Sequence, residues 1–110
     1  MSIKLTRWDR TYEIEVSRTT YRHGGGLAVK FDYYEFECWL PFGVLTVNLE
    51  DYPTTGNKAF VDTNNYGPEI IDWIMENDLG MPTGRIGYSG YCEYPEVEFN
   101  VDKIKQSEVN

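Results

Sequence analysis

Strict alternation of apolar and polar side chains, in TYEIEV (residues 11–16) and PEVEFNVD (residues 95–102), restricts this fold most. A period of two turns Tyr12, Ile14 and Val16 one way and Glu13 and Glu15 the other. It likewise separates Val97, Phe99 and Val101 from Glu96, Glu98, Asn100 and Asp102. Each stretch is therefore expected to be a half-buried strand of a sheet with one polar face.

Between these strands the reading continues with RTTYRHGGG as a hairpin connection, because three successive glycines tolerate positive φ angles. A second strand starts at Leu27. Its apolar phase runs Leu27, Val29, Phe31, Tyr33 and then Tyr34, Phe36, Cys38, Leu40, which predicts a bulge or bend near Tyr33 and Tyr34. PFG (41–43) reads as a turn and VLTVNL as a third strand with Leu45, Val47 and Leu49 on one face. DYPTTGNK reads as loop, and AFV (59–61) as a further short strand. PEIIDWIMENDLG predicts a helix over residues 68–79, with Pro68 in its first turn, Gly80 in the left-handed closing position and Pro82 beyond. Ile70, Ile71, Ile74 and Met75 form its core-facing arc, Glu69, Asp72 and Glu76 its outer arc, and Trp73 sits at the edge of that acidic stripe. MPTGRIGYSGYCEYP (81–95) reads as an irregular Ω-like loop packed by its own tyrosines.

The expected fold class is α+β: a mainly antiparallel, twisted sheet of four to five strands with one helix packed on a face. At 110 residues one domain is expected, spanning residues 1–102, followed by a flexible tail over 103–110. No run approaches the ~20 apolar residues of a membrane-spanning helix, and the first residues carry no apolar stretch of signal-peptide length, so the reading is cytoplasmic with no membrane partner. Cys38 and Cys92 lack metal-site or disulfide-framework spacing and read as buried free thiols.

Eighteen acidic against ten basic residues give a net charge of −8, which disfavours direct contact with nucleic acid and favours a basic protein partner. Residues 1–30 nevertheless hold six bases against three acids, so Lys4, Arg7, Arg10, Arg18 and Arg22 form the alternative site, that of a nucleic-acid-associated regulator. No cofactor or metal is expected. DTNNYG (62–67) has the oxygen-rich look of a calcium loop, but Tyr66 stands at the fifth position and Trp73 at the twelfth, where ligands are needed. Turn and helix-cap roles for Asn64 and Asn65 account for the same residues. His23, the one histidine, would activate a cysteine only if Cys38 or Cys92 lay beside it. Neither cysteine has a supporting motif, and the chain reads as no enzyme.

The partner-binding candidates are therefore surface groups. Glu13, Glu15, Glu96 and Glu98 lie on polar strand faces, spaced ~6.7 Å along each, where rows of carboxylates imitate phosphates. Glu69, Asp72 and Glu76 form the helical stripe with Trp73 as an aromatic anchor beside it. Arg85, Tyr88 and Tyr91 are a stacking group of the kind that holds single-stranded bases.

The segments LTVNLEDYP (45–53), AFVDTNN (59–65), ENDLGMPTGR (76–85) and GYSGYCEYP (87–95) resemble, in order and spacing, a domain-of-unknown-function family of short proteins from mobile elements (plasmids, conjugative elements and phages) of gut bacteria. The likeness covers roughly residues 11 to 100. It transfers no catalytic or binding residue. It implies a mobile-element accessory role, such as interference with a host defence or regulation of transfer.

Overall fold

The structure, a computed structural model, describes residues 3–106. Its first element was not expected: β1 (Ile3–Arg7) turns at Trp8–Asp9 into β2 (Arg10–Thr20). β2 runs antiparallel to β3 (Leu27–Glu35), which pairs with β4 (Cys38–Val44). These strands form sheet A in the order β1-β2-β3-β4. Sheet B has the order β5-β6-β8-β7, from β5 (Thr46–Val47), β6 (Lys58–Val61), β7 (Gly80–Ser89) and β8 (Cys92–Phe99). Two short helices, α1 (Thr63–Tyr66) and α2 (Glu69–Glu76), lie between β6 and β7. The α+β class stands at that level, but the single sheet is replaced by two.

The chain changes sheets at Leu45. Its N–H donates to the Val29 carbonyl of sheet A at 2.8 Å, and its carbonyl accepts from the Asp62 N–H, directly after β6, at 2.9 Å. The expected continuous strand VLTVNL is thus broken at a corner. Leu45 is fully buried between the sheets, whereas Val47 and Leu49 are half-buried in a cleft on the far side of sheet B. Corner-turning residues of this kind are how two sheets share a core. That core gathers Ile14, Val29 and Phe31 from sheet A, Val61, Val97 and Phe99 from sheet B, and Ile70, Trp73 and Ile74 from α2.

Several local expectations are corrected. The bulge lies at Phe31/Asp32, where Phe42 is looped out of β4, rather than at Tyr33 and Tyr34. PFG is part of β4, and the turn is Phe36–Glu37 instead, with φ of +56° and +61°. Trp8–Asp9 repeats this geometry at +54° and +60°. A two-residue hairpin wants two left-handed residues so that its twist matches the strands, and Asn-Gly is the usual choice. Trp-Asp and Phe-Glu gave no such signal.

α2 ends earlier than residue 79. Asp78 takes the left-handed closing position at φ +58°, its N–H bonded to the Met75 carbonyl and that of Leu79 to the Ile74 carbonyl. This is a Schellman ending with its Leu79–Ile74 apolar pair, and Gly80 is the first residue of β7. The segment 81–95 is no Ω-loop: most of it is the β7–β8 hairpin. Gly87 lies inside β7 because a Cβ there would stand 2.6 Å from Leu49 Cδ1 and 2.9 Å from Phe60 Cε1. Of the expected flexible tail, residues 107–110 lie outside the described residues. The rest packs: Ile104 is buried and β9 (Lys105–Gln106) pairs in parallel with β2.

Candidate functional site

The two acidic strand rows lie on the outer faces of two different sheets. Glu13 and Glu15 face out from sheet A, where Glu15 is half-buried and pairs with Lys105 at 2.6 Å. Glu98 is exposed on sheet B, but Glu96 is 3 % exposed. An irregularity in β7 between Pro82 and Ile86 brings Thr83 and Arg85 to its carboxylate, the hydroxyl donating at 2.7 Å and the guanidinium at 3.1 Å. Arg85 also donates to the Pro53 carbonyl at 3.0 Å and lies 5.4 Å from the Phe60 ring centre. Glu96 and Arg85 thus clamp the segment preceding β6 over sheet B. The expected stacking group is not assembled: Arg85 is spent on Glu96, Tyr88 leans on Tyr52, and Tyr91 stands fully exposed in the β7–β8 turn.

Trp73 is corrected most sharply. It is 8 % exposed, 6.3 Å from the Phe31 ring, and its indole N–H donates to the Lys4 carbonyl at 2.7 Å. The buried arc of α2 is Ile70, Trp73 and Ile74, rotated from the expected one, so Ile71 is half-buried and Met75 is exposed. The outer arc holds as read. Glu69, Asp72 and Glu76 are exposed, and none of them forms an ion pair among the described residues.

These carboxylates form one wall of an open groove of about 720 Å³ between α2 and β1. The opposite wall is β1 itself, and Trp8, 72 % exposed, closes one end. Arg7 is held there, its guanidinium 5.0 Å from the Trp8 ring and 5.5 Å from the Tyr66 ring while donating to the Tyr66 carbonyl at 2.8 Å. Burial, with the Asp62 charge as a second cause, pushes the Tyr66 phenol above its ordinary value. Trp8 and β1 were missed because Ile3 and Leu5 alternate with Lys4 and Thr6 over only five residues. That short alternation was the available signal.

DTNNYG opens α1 with Asp62 as the cap. Its carboxylate accepts from the Asn65 N–H at 3.2 Å and from the Asn65 side-chain amide at 2.7 Å, so the asparagines are not the capping groups. No three acids, histidines or cysteines gather in a metal-holding cluster among the described residues. Cys38 is exposed rather than buried and Cys92 is half-buried. His23 borders a cleft of about 340 Å³ with Tyr21, Tyr52 and Phe60, and neither cysteine lines it. Burial raises the Tyr21 phenol above its ordinary value, a hydrogen bond to Thr46 partly opposing this.

Of the basic set, Arg7 is engaged as above, Arg10 pairs with Glu35, and Arg18 donates to the Ile104 carbonyl at 3.0 Å and to Gln106 at 2.9 Å. Lys4 and Arg22 are exposed. Among the described residues no helix is long and apolar enough to cross a membrane.

The chain matches no curated protein and no solved structure. A family profile matches residues 14–110, a span that includes α2 and every strand of sheet B but begins after β1 and Trp8. The chain belongs to the family described as Domain of unknown function (DUF4313).

Proposed function

We propose that this chain is a non-catalytic protein-binding module of a mobile genetic element, an acidic inhibitor that occupies a basic surface on a host defence or nucleic-acid-binding factor in the cytoplasm. The observation that carries this reading is the wall of Glu69, Asp72 and Glu76, exposed and without ion pairs among the described residues, beside a groove that ends on the exposed Trp8. Carboxylates left unpaired beside an aromatic side chain attract cationic side chains, and the net charge of −8 steers a basic partner in from a distance. Trp8 replaces Trp73 as the aromatic contact, because cation–π and apolar contact with a partner both need an accessible ring. The nucleic-acid reading draws less support, since Arg7, Arg10 and Arg18 are occupied within the fold.

The test is capture of partners from a bacterial lysate by the tagged chain and by a Glu69→Lys/Asp72→Lys/Glu76→Lys variant. A partner held by the first should be lost by the second, and also in about 1 M salt, where exposed charges are screened beyond ~3 Å. Retention through both changes overturns the reading.

A further inference from the structure

The groove between α2 and β1 has one wall made of strand edge. Sheet A begins at β1, with β2 on one side of it and, among the described residues, no strand on the other. Which backbone groups point into the groove follows from the hairpin. In a two-residue hairpin the closing pair, here Arg7 and Arg10, exchanges both hydrogen bonds, and bonded and non-bonded pairs then alternate. Leu5 therefore bonds to Tyr12, while Lys4 and Thr6 turn their N–H and carbonyl groups away from β2. The Trp73 indole confirms this phase by donating to the Lys4 carbonyl from the helix side. The Lys4 N–H and both backbone groups of Thr6 remain at the edge, and among the described residues no turn or loop backbone bond uses them.

The other wall fits a cationic strand. Arg7 meets Tyr66 just ahead of α2, and Lys4 meets Trp73 in its second turn, so the helix runs beside β1 in the opposite direction. Along its axis Glu69, Asp72 and Glu76 are separated by about 4.5 Å and 6 Å. A strand laid on β1 repeats the same face every ~6.7 Å, a mismatch that lysine stems absorb. Lys4 borders the groove, but strand alternation turns its side chain away from Leu5, to the side of its cross-strand neighbour Glu13. A second copy of this chain is a poor occupant, since pairing two β1 edges would bring two acidic α2 walls together.

We infer that the groove takes an extended, lysine- or arginine-bearing segment of the partner as an added strand on β1, with alternate cationic side chains reaching the α2 carboxylates. This rests on the basic-partner reading and specifies how the partner is held: main-chain hydrogen bonds supply attachment and the acidic wall selects charge. The remaining edge, one bonded pair and a further N–H, suits a short segment.

The experiment titrates the full chain calorimetrically with a peptide of about seven residues alternating lysine and valine, long enough to span the ~17 Å edge. An analogue of the peptide N-methylated at alternate residues, and a Thr6→Pro variant of the chain, complete it. The Thr6 N–H points away from β2, so proline is compatible with this edge and the melting temperature should be kept. Expected is salt-sensitive binding that weakens at least about tenfold with either change, the scale of one or two lost hydrogen bonds. Should Thr6→Pro not fold, the methylated peptide against the unaltered chain decides alone. Equal affinity for the methylated and unmethylated peptides, or no binding at low salt, overturns the inference. Equal affinity combined with charge-dependent lysate capture removes strand addition and leaves the basic-partner reading standing.

Discussion

Trp73 is anchored twice: its ring against Phe31 ties α2 to β3, and its N–H on the Lys4 carbonyl ties α2 to β1. Trp73→Phe keeps most of the packing and loses the hydrogen bond, so denaturant unfolding should register a loss of about 1 kcal/mol. Trp73→Ala should cost about 3–5 kcal/mol. Arg85 has a comparable structural duty. Glu96 is buried, and Arg85→Ala would leave its carboxylate with Thr83 alone. Because Arg85 is itself 44 % exposed, a loss of about 2 kcal/mol is expected, below the 3–5 kcal/mol of fully buried pairs. Tyr66 and Tyr21 give the pH dependence. Their phenols hold the proton more tightly when folded. Above about pH 10 an unfolded chain sheds those protons and the folded chain does not, so stability falls as pH rises further and is unaffected by them below. Urea midpoints at about pH 9 and 11 should differ, and by less in a Tyr21→Phe/Tyr66→Phe variant.

The hairpins show where local residue preference and tertiary structure part. Phe36 and Glu37 sit left-handed in the β3–β4 turn, with Phe36 82 % exposed and thus gaining little from burial. Replacing the pair by Asn-Gly should stabilise the chain by about 1–2 kcal/mol, read from the shift in urea midpoint. Ile14, Val16, Val97 and Phe99 were legible as core because alternation survives in any sheet. α2 was legible as a helix, but its closing residue was not, since Asp78 takes a position that glycine usually fills and is steadied there by Asn100 and Lys103. β7 was illegible for the opposite reason: its glycines read as loop, whereas Gly87 is needed for close approach to Phe60. The C-terminal segment looked polar and loose, yet one apolar residue, Ile104, closes the core. Ile104→Ala should cost about 2–4 kcal/mol in the same unfolding measurement.

At the scale of the molecule, the corner at Leu45 decides where charge can gather. It divides the strands between two sheets, so Glu13 and Glu15 end on one outer face and Glu96 and Glu98 on the other, with Glu96 covered. Alternation along a strand reports which side is wet but not which sheet the strand joins, and the four-glutamate surface could not be judged without that topology. The α2 stripe survived because a helix carries its own geometry. What remains is a groove with an acidic helix on one side and an open strand edge on the other. Its role is tested most directly by following the backbone amide resonances of the isotope-labelled chain while a lysine-rich extended peptide is added at low salt. Shifts concentrated in residues 4–8 and 69–76, and abolished by about 1 M salt, are the predicted result. Shifts concentrated around the His23 cleft, or spread evenly over both acidic outer faces, would contradict it.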